Sequence, residues 1–206
     1  MRMILMISNA QKIYNKLREI YPGAMLSISD LSYNSDGLKR FILSDEVGFN
    51  FDLVYNLALC HPEGRKEKSP DALFIANDCL YFVEFKEGSA KKDDIRMKIH
   101  EGITTLYCFV LKHLPEIKRE DFLQLDIRYS VIMRGFRARG RQGLIDRLET
   151  SSNKFNLRNL EGFLVKKTSI RDDPMRILDL LNKISLGRIR TIGINQPDDT
   201  VLYHSL

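Results

Sequence analysis

Two acids and one amine, Asp71, Glu84 and Lys86, are the residues of this chain best placed to do chemistry together. Between them run Ala72-Leu73-Phe74-Ile75-Ala76, then Asn77-Asp78, then Cys79-Leu80-Tyr81-Phe82-Val83. Asn and Asp tolerate the positive φ angles of a two-residue hairpin loop, so Asn77-Asp78 predicts a tight turn. Folding about that turn pairs Ala76 with Cys79, Ile75 with Leu80, Leu73 with Phe82 and Asp71 with Glu84. Opposed carboxylates, with Cβ atoms about 4.5–5.5 Å apart, repel and need a compensating cation. Lys86 points to the same face as Glu84, about 7 Å along the strand. Two acids and an amine at one end of a buried sheet form a candidate metal site, and the competing reading is a structural ion pair at a sheet edge. A second acid-x-Lys triplet, Glu116-Ile117-Lys118, follows Pro115 in a polar stretch and lacks this setting.

The elements that must carry these residues are readable around them. Ser8 and Gln11 form a capping box that opens a helix through Ile20, with Ala10, Ile13, Tyr14 and Leu17 on its core face. Residues 24–48 are ambiguous, with a short helix expected around Leu38 to Leu43. Phe49, Phe51, Leu53, Tyr55, Leu57 and Leu59 alternate with polar positions, which predicts a strand over 49–59. The hairpin adds two strands. Asp93 or Asp94 caps a helix from about Ile95 to His113, striped by Ile95, Ile99, Ile103, Leu106 and Val110. Leu125, Ile127, Tyr129, Val131 and Met133 alternate as a further strand. Beyond it, Phe163 to Lys167 predicts a strand, and Asp173-Pro174 predicts the cap and first turn of a helix through Ile184. Residues 187–206 show no clear period and either complete the core or pair with a second subunit.

Acid-x-Lys after a strand, with an upstream acid aligned to it, resembles the PD-(D/E)XK nuclease superfamily. The resemblance rests on Asp71, Glu84 and Lys86. It implies an α/β, restriction-endonuclease-like three-layer core, a central mixed sheet flanked by helices in αβββαβ order, which agrees with the elements above. It implies Mg²⁺, for which Mn²⁺ can substitute, bound by Asp71, Glu84 and the Phe85 carbonyl, with Lys86 assisting the attacking water. Many members place a further acid upstream, for which Glu19 and Glu46 are the candidates. The implied activity is endonuclease-like hydrolysis of phosphodiester bonds in DNA. The alternative is a catalytically inactive module of the same fold that binds nucleic acid or serves in assembly.

Charge distribution bears on the partner. The net charge is +5 at pH 7, and Arg134, Arg137, Arg139 and Arg141 cluster in one glycine-containing stretch without acids. Arginine forks match phosphate, so these residues are candidates for nucleic-acid binding, with DNA expected over RNA. Arg65, Lys66 and Lys68 either join them or form a solvated face. Arg96 and Lys98 lie off the apolar stripe of their helix, where they either contact phosphate or, as is the expectation, are exposed helix cations, and Glu101 stands near the same face. At 206 residues, 44% hydrophobic and 29% charged, the chain suits a single folded domain, with a core over about 8–135 and additions over 136–206. Three cysteines without framework spacing suit a reducing, cytoplasmic setting, and no membrane-spanning run is expected. Cys60-His61 reads as a thiol beside a loop histidine rather than a zinc pair.

Overall fold

Among the described residues six strands build the main sheet: β1 (Met25–Ser27), β5 (Val47–Asn50), β6 (Ala72–Ala76), β7 (Cys79–Lys86), β8 (Asp126–Met133) and β9 (Lys167–Arg171). They lie side by side in the order β1-β5-β6-β7-β8-β9. The computed structural model describes residues 7–34, 38–54, 67–87, 91–134 and 154–206. The first three pairings are antiparallel and the last two parallel. The change of sense follows from helix α3 (Lys92–His113), whose crossover returns the chain so that β8 runs alongside β7.

Strand alternation sorts side chains between two apolar layers. On one face Leu73, Leu80, Phe82, Tyr129 and Val131 pack with α1 (Asn9–Ile20) and α3. On the other, Ala72, Phe74, Tyr81, Val83 and Ile132 pack with α2 (Ile28–Leu31) and α5 (Pro174–Ile184). The second layer is closed by a small sheet in the order β11 (Val201–Ser205), β10 (Thr191–Asn195), β4 (Ile42–Leu43). The protein is therefore α/β, with a central mixed sheet flanked by helices. Among the described residues no helix is long and apolar enough to cross a membrane.

The expected helices over 8–20 and 174–184 form with the expected buried stripes, and α3 buries all five residues of its stripe. Ser8 accepts from the Gln11 N–H at 3.2 Å, but the Gln11 side chain reaches Asn15 at 2.8 Å, so half the capping box is made. Asp173 accepts from the N–H groups of Met175 and Arg176, as its cap position predicts. Helix α3 starts one turn earlier than expected, capped at Lys91. Asp93 and Asp94 sit in its first turn, where the helix dipole favours acids.

Other expectations are corrected. Residues 38–43 are extended rather than helical: β2 (Tyr33–Asn34) pairs β3 (Lys39–Arg40), β4 follows, and Leu38 has φ 52°, outside the helical region. The strand from Phe49 ends at Asn50. The Asn50 side chain accepts from the Asp52 N–H at 3.1 Å and turns the chain into a 3₁₀ segment, Phe51–Leu53. Residues 55–59 of that expected strand lie outside the described residues. The strand placed at 163–167 instead begins at Lys167, and Phe163 is exposed. A short helix, α4 (Arg119–Leu123), lies between α3 and β8, where the sequence pattern predicts no element. The Glu116-Ile117-Lys118 triplet sits just before it, with Lys118 at the cap position and Ile117 buried.

Candidate functional site

The hairpin forms about Asn77-Asp78, both with positive φ, 49° and 59°. The register is the expected one, Ala76 with Cys79 through Ala72 with Val83. The Ser8 hydroxyl donates to Asp78 at 2.6 Å and ties the turn to the start of α1. One residue before β6, Asp71 stands across from Glu84, and its Oδ2 accepts the Phe85 backbone N–H at 2.7 Å.

The carboxylates meet through a residue that was expected to be exposed. Lys98, on α3, brings Nζ to 3.2 Å from Asp71 Oδ1 and 2.7 Å from Glu84 Oε1, with only 15% of its side chain exposed. Lys86 Nζ lies 2.8 Å from the same Glu84 oxygen. Glu84 is wholly buried, and its Oε2 has no hydrogen-bond partner among the described residues. The Tyr129 hydroxyl is also buried, with no hydrogen-bond partner among the described residues.

Docking of the 67–71 segment on α3 creates this meeting. Pro70 lies against Gly102, one helical turn beyond Lys98. A Cβ at Gly102 would stand 2.6 Å from Pro70 Cδ. Glu101 accepts the Lys68 N–H, and Lys68 Nζ pairs with Asp94, each at 2.5 Å. Lys68 and Glu101 thus strap the segment down. A glycine mid-helix, four residues after a lysine, is the sequence signal that could have pointed to Lys98.

Burial raises the Glu84 carboxyl to about 7; the Asp71 charge adds to this, and Lys98 and Lys86 oppose it. Burial likewise raises Asp71, against Lys98 and the Phe85 N–H. Burial works against the Lys98 charge, but Glu84 and then Asp71 outweigh it, and its pKa is raised. The Tyr129 hydroxyl is pushed well up by burial, with Glu84 and Asp71 adding.

Beside the cluster opens a polar cavity of about 680 Å³, lined by Asp30, Asn50, Asp52, Asp71, Lys86 and Glu87 among others. Asp52 accepts from the Ser69 hydroxyl. Neither upstream candidate reaches this cavity. Glu19 is exposed on α1 and paired with Lys16 at 2.7 Å. Glu46 pairs with Arg188 at 2.6 Å, about 13 Å from Asn50 at the far end of β5. Arg134 is held by Glu87 at 2.5 Å and stacks over Phe41, 5.2 Å from its centroid. Arg96 donates to the Asn156 carbonyl at 2.8 Å. Arg137, Arg139, Arg141, Cys60, His61, Arg65 and Lys66 lie outside the described residues.

The donor set bears on a divalent ion. Among the described residues no group of three or more His, Cys, Asp or Glu side chains could hold one. Mg²⁺ needs fewer, because it keeps much of its water and takes one or two carboxylates. Lys98 Nζ occupies the point between one oxygen of each acid, so a divalent ion bound by both would have to displace that amine. The unpartnered Glu84 Oε2 offers a further hard ligand. Phe85 contacts the cluster through its N–H. No protein-family model matches the sequence, and comparison with curated proteins and with solved structures returned no match.

Proposed function

We propose that the protein is a Mg²⁺-dependent nuclease with a restriction-endonuclease-like core that hydrolyses phosphodiester bonds in DNA. One observation carries this reading. A wholly buried Glu84, with one oxygen unpartnered among the described residues, meets a second acid and two amines, and of these Asp71 and Lys86 line a polar cavity. An opposed acid pair in an apolar layer costs stability, and such costs concentrate where chemistry is done. The strand order supports the reading: an antiparallel run of four strands, then a helical crossover to a parallel neighbour.

In this proposal Asp71 and Glu84 hold the ion. When bound, Mg²⁺ supplies an activated water and neutralises charge developing on the phosphate. Lys86, which lines the cavity and is anchored by Glu84, donates to the attacking water or a phosphoryl oxygen. The water oxygen bonds phosphorus and gives up a proton to solvent as the ester bond to the leaving sugar oxygen breaks, and that oxygen takes up a proton from solvent. Lys98 keeps the acids paired when no divalent ion is present. The neutral balance of two acids and two amines favours one other reading, an inactive module of this fold whose cluster only locks the hairpin to α3.

The test is cleavage of single-stranded, duplex and four-way DNA and of RNA, with Mg²⁺ or with chelator, beside thermal melts with and without Mn²⁺. Wild type should cut a DNA substrate only with the metal and melt higher with Mn²⁺. Asp71→Asn should do neither. No cleavage of any substrate, with melts indifferent to metal, would leave the inactive module.

A further inference from the structure

A second cavity lies at the opposite edge of the main sheet from β1, beside edge strand β9, between α5 and the 3₁₀ segment Lys154–Leu160. Its volume is about 640 Å³, within the usual range of small-molecule sites, and it shares no lining residue with the cavity at Asp71. Its walls carry Arg158, Lys167, Arg171, Arg176 and Lys183. The parallel register sets Lys167 beside Arg128 and Ser169 beside Ser130, and the two serine hydroxyls bond at 2.8 Å. That pair uses one hydroxyl proton and leaves the other to donate.

The cations outnumber the acids near them: Asp179 lines the cavity, and Glu161 acts electrostatically on Lys167 and Arg158. Arg128, at the same wall, is neutralised by Asp126, at 2.6 and 2.9 Å. Arg158, Lys167, Arg171, Arg176 and Lys183 form no ion pair among the described residues. The acid that lines the cavity, Asp179, is three residues from Arg176 and four from Lys183, yet closes a pair with neither. Closing such i,i+3 and i,i+4 pairs would stabilise the helix by only about 0.2–0.5 kcal/mol each, so the acid leaves these cations open to a stronger anion. Lys167 and Arg171 on an edge strand also discourage pairing with another β-strand, so a peptide strand is a poor occupant. Planar guanidinium forks beside a hydroxyl donor instead match phosphoryl oxygens.

We propose that this cavity is a binding site for polyanions bearing more than one phosphate group, either a nucleic-acid backbone or a free polyphosphate. It operates without the Asp71–Glu84 cluster and without metal, so it stands whether or not the protein is a nuclease. Bound phosphates would bridge β9 and α5 by sitting between Lys167, Arg171 and Arg176.

The test measures binding of inorganic tripolyphosphate and of a labelled single-stranded DNA 12-mer, both in chelator. Wild type should bind at least one of them. Combined Lys167→Ala, Arg171→Ala and Arg176→Ala should weaken that binding at least about tenfold. The log–log salt slope for the 12-mer should fall by about one unit per lost phosphate contact. Asp71→Asn should bind as wild type does, which separates this site from the nuclease reading. A control with the same charge loss elsewhere, Lys12→Ala, Lys112→Ala and Arg119→Ala, should change affinity far less. Loss for the 12-mer alone assigns a nucleic-acid backbone, and loss for tripolyphosphate as well assigns a free polyphosphate. Absence of binding by wild type, or equal weakening in the control, would overturn the proposal.

Discussion

Glu84→Gln should stabilise this protein at alkaline pH, although it alters a residue at the centre of the cluster. Burial lifts the Glu84 carboxyl from 4.5 to about 7. Between those values the folded chain holds a proton that the unfolded chain has released. The stability this confers is fully present below about 4.5 and is lost as pH rises through about 7. At 1.36 kcal/mol per pKa unit, the loss amounts to at most about 3 kcal/mol. Glutamine keeps an acceptor where Glu84 Oε1 meets Lys98 and Lys86 but cannot ionise. At pH 4 the variant and wild type should match, and at pH 8 the variant should be the more stable by up to that amount. Asp71, raised in the same direction, loses a repelling neighbour in the variant and flattens its pH dependence further. Urea unfolding at unit steps from pH 4 to pH 8 measures this directly. A variant less stable at pH 8, or two parallel stability profiles, would refute the account of Glu84 as a costly buried acid.

Removing the bridging amine should act in the opposite sense. Lys98→Met leaves two buried acids facing each other and should cost about 3–5 kcal/mol at pH 8, the usual range for breaking a buried ion pair. Near pH 5, where Glu84 carries its proton, urea unfolding should show a much smaller loss. Gly102→Ala tests the docking of α3 on Pro70. In an open helix the change would stabilise by up to about 1 kcal/mol. Here the new Cβ would stand 2.6 Å from the rigid Pro70 ring, so a net loss of about 1–2 kcal/mol is expected. A stabilised variant would show that Pro70 yields freely.

Local chemistry made much of this fold legible. Asn77-Asp78 adopts the positive φ angles that its residue types favour, and a two-residue turn then sets the register that brings Asp71 to Glu84. The stripes of α1, α3 and α5 and the alternation of β8 likewise report each element's own periodicity. Asn50 escaped such a reading because its side chain bonds the backbone two residues on and ends a strand that the apolar alternation would continue. The small sheet escaped it because β4 and β10 lie about 150 residues apart and neither signals the other. Lys98 is the sharpest case. Its position on α3 says only that it lies off the buried stripe. Whether it meets water or two carboxylates depends on where Pro70 lands, which Gly102 permits by lacking a Cβ. The sequence by itself determined which acids and which amine share a hairpin face, because turn and strand geometry are local. The tertiary structure alone decided that a second amine bridges them, that Glu19 and Glu46 stand elsewhere, and that five cations gather at the opposite edge. Those placements depend on packing between segments distant in the chain.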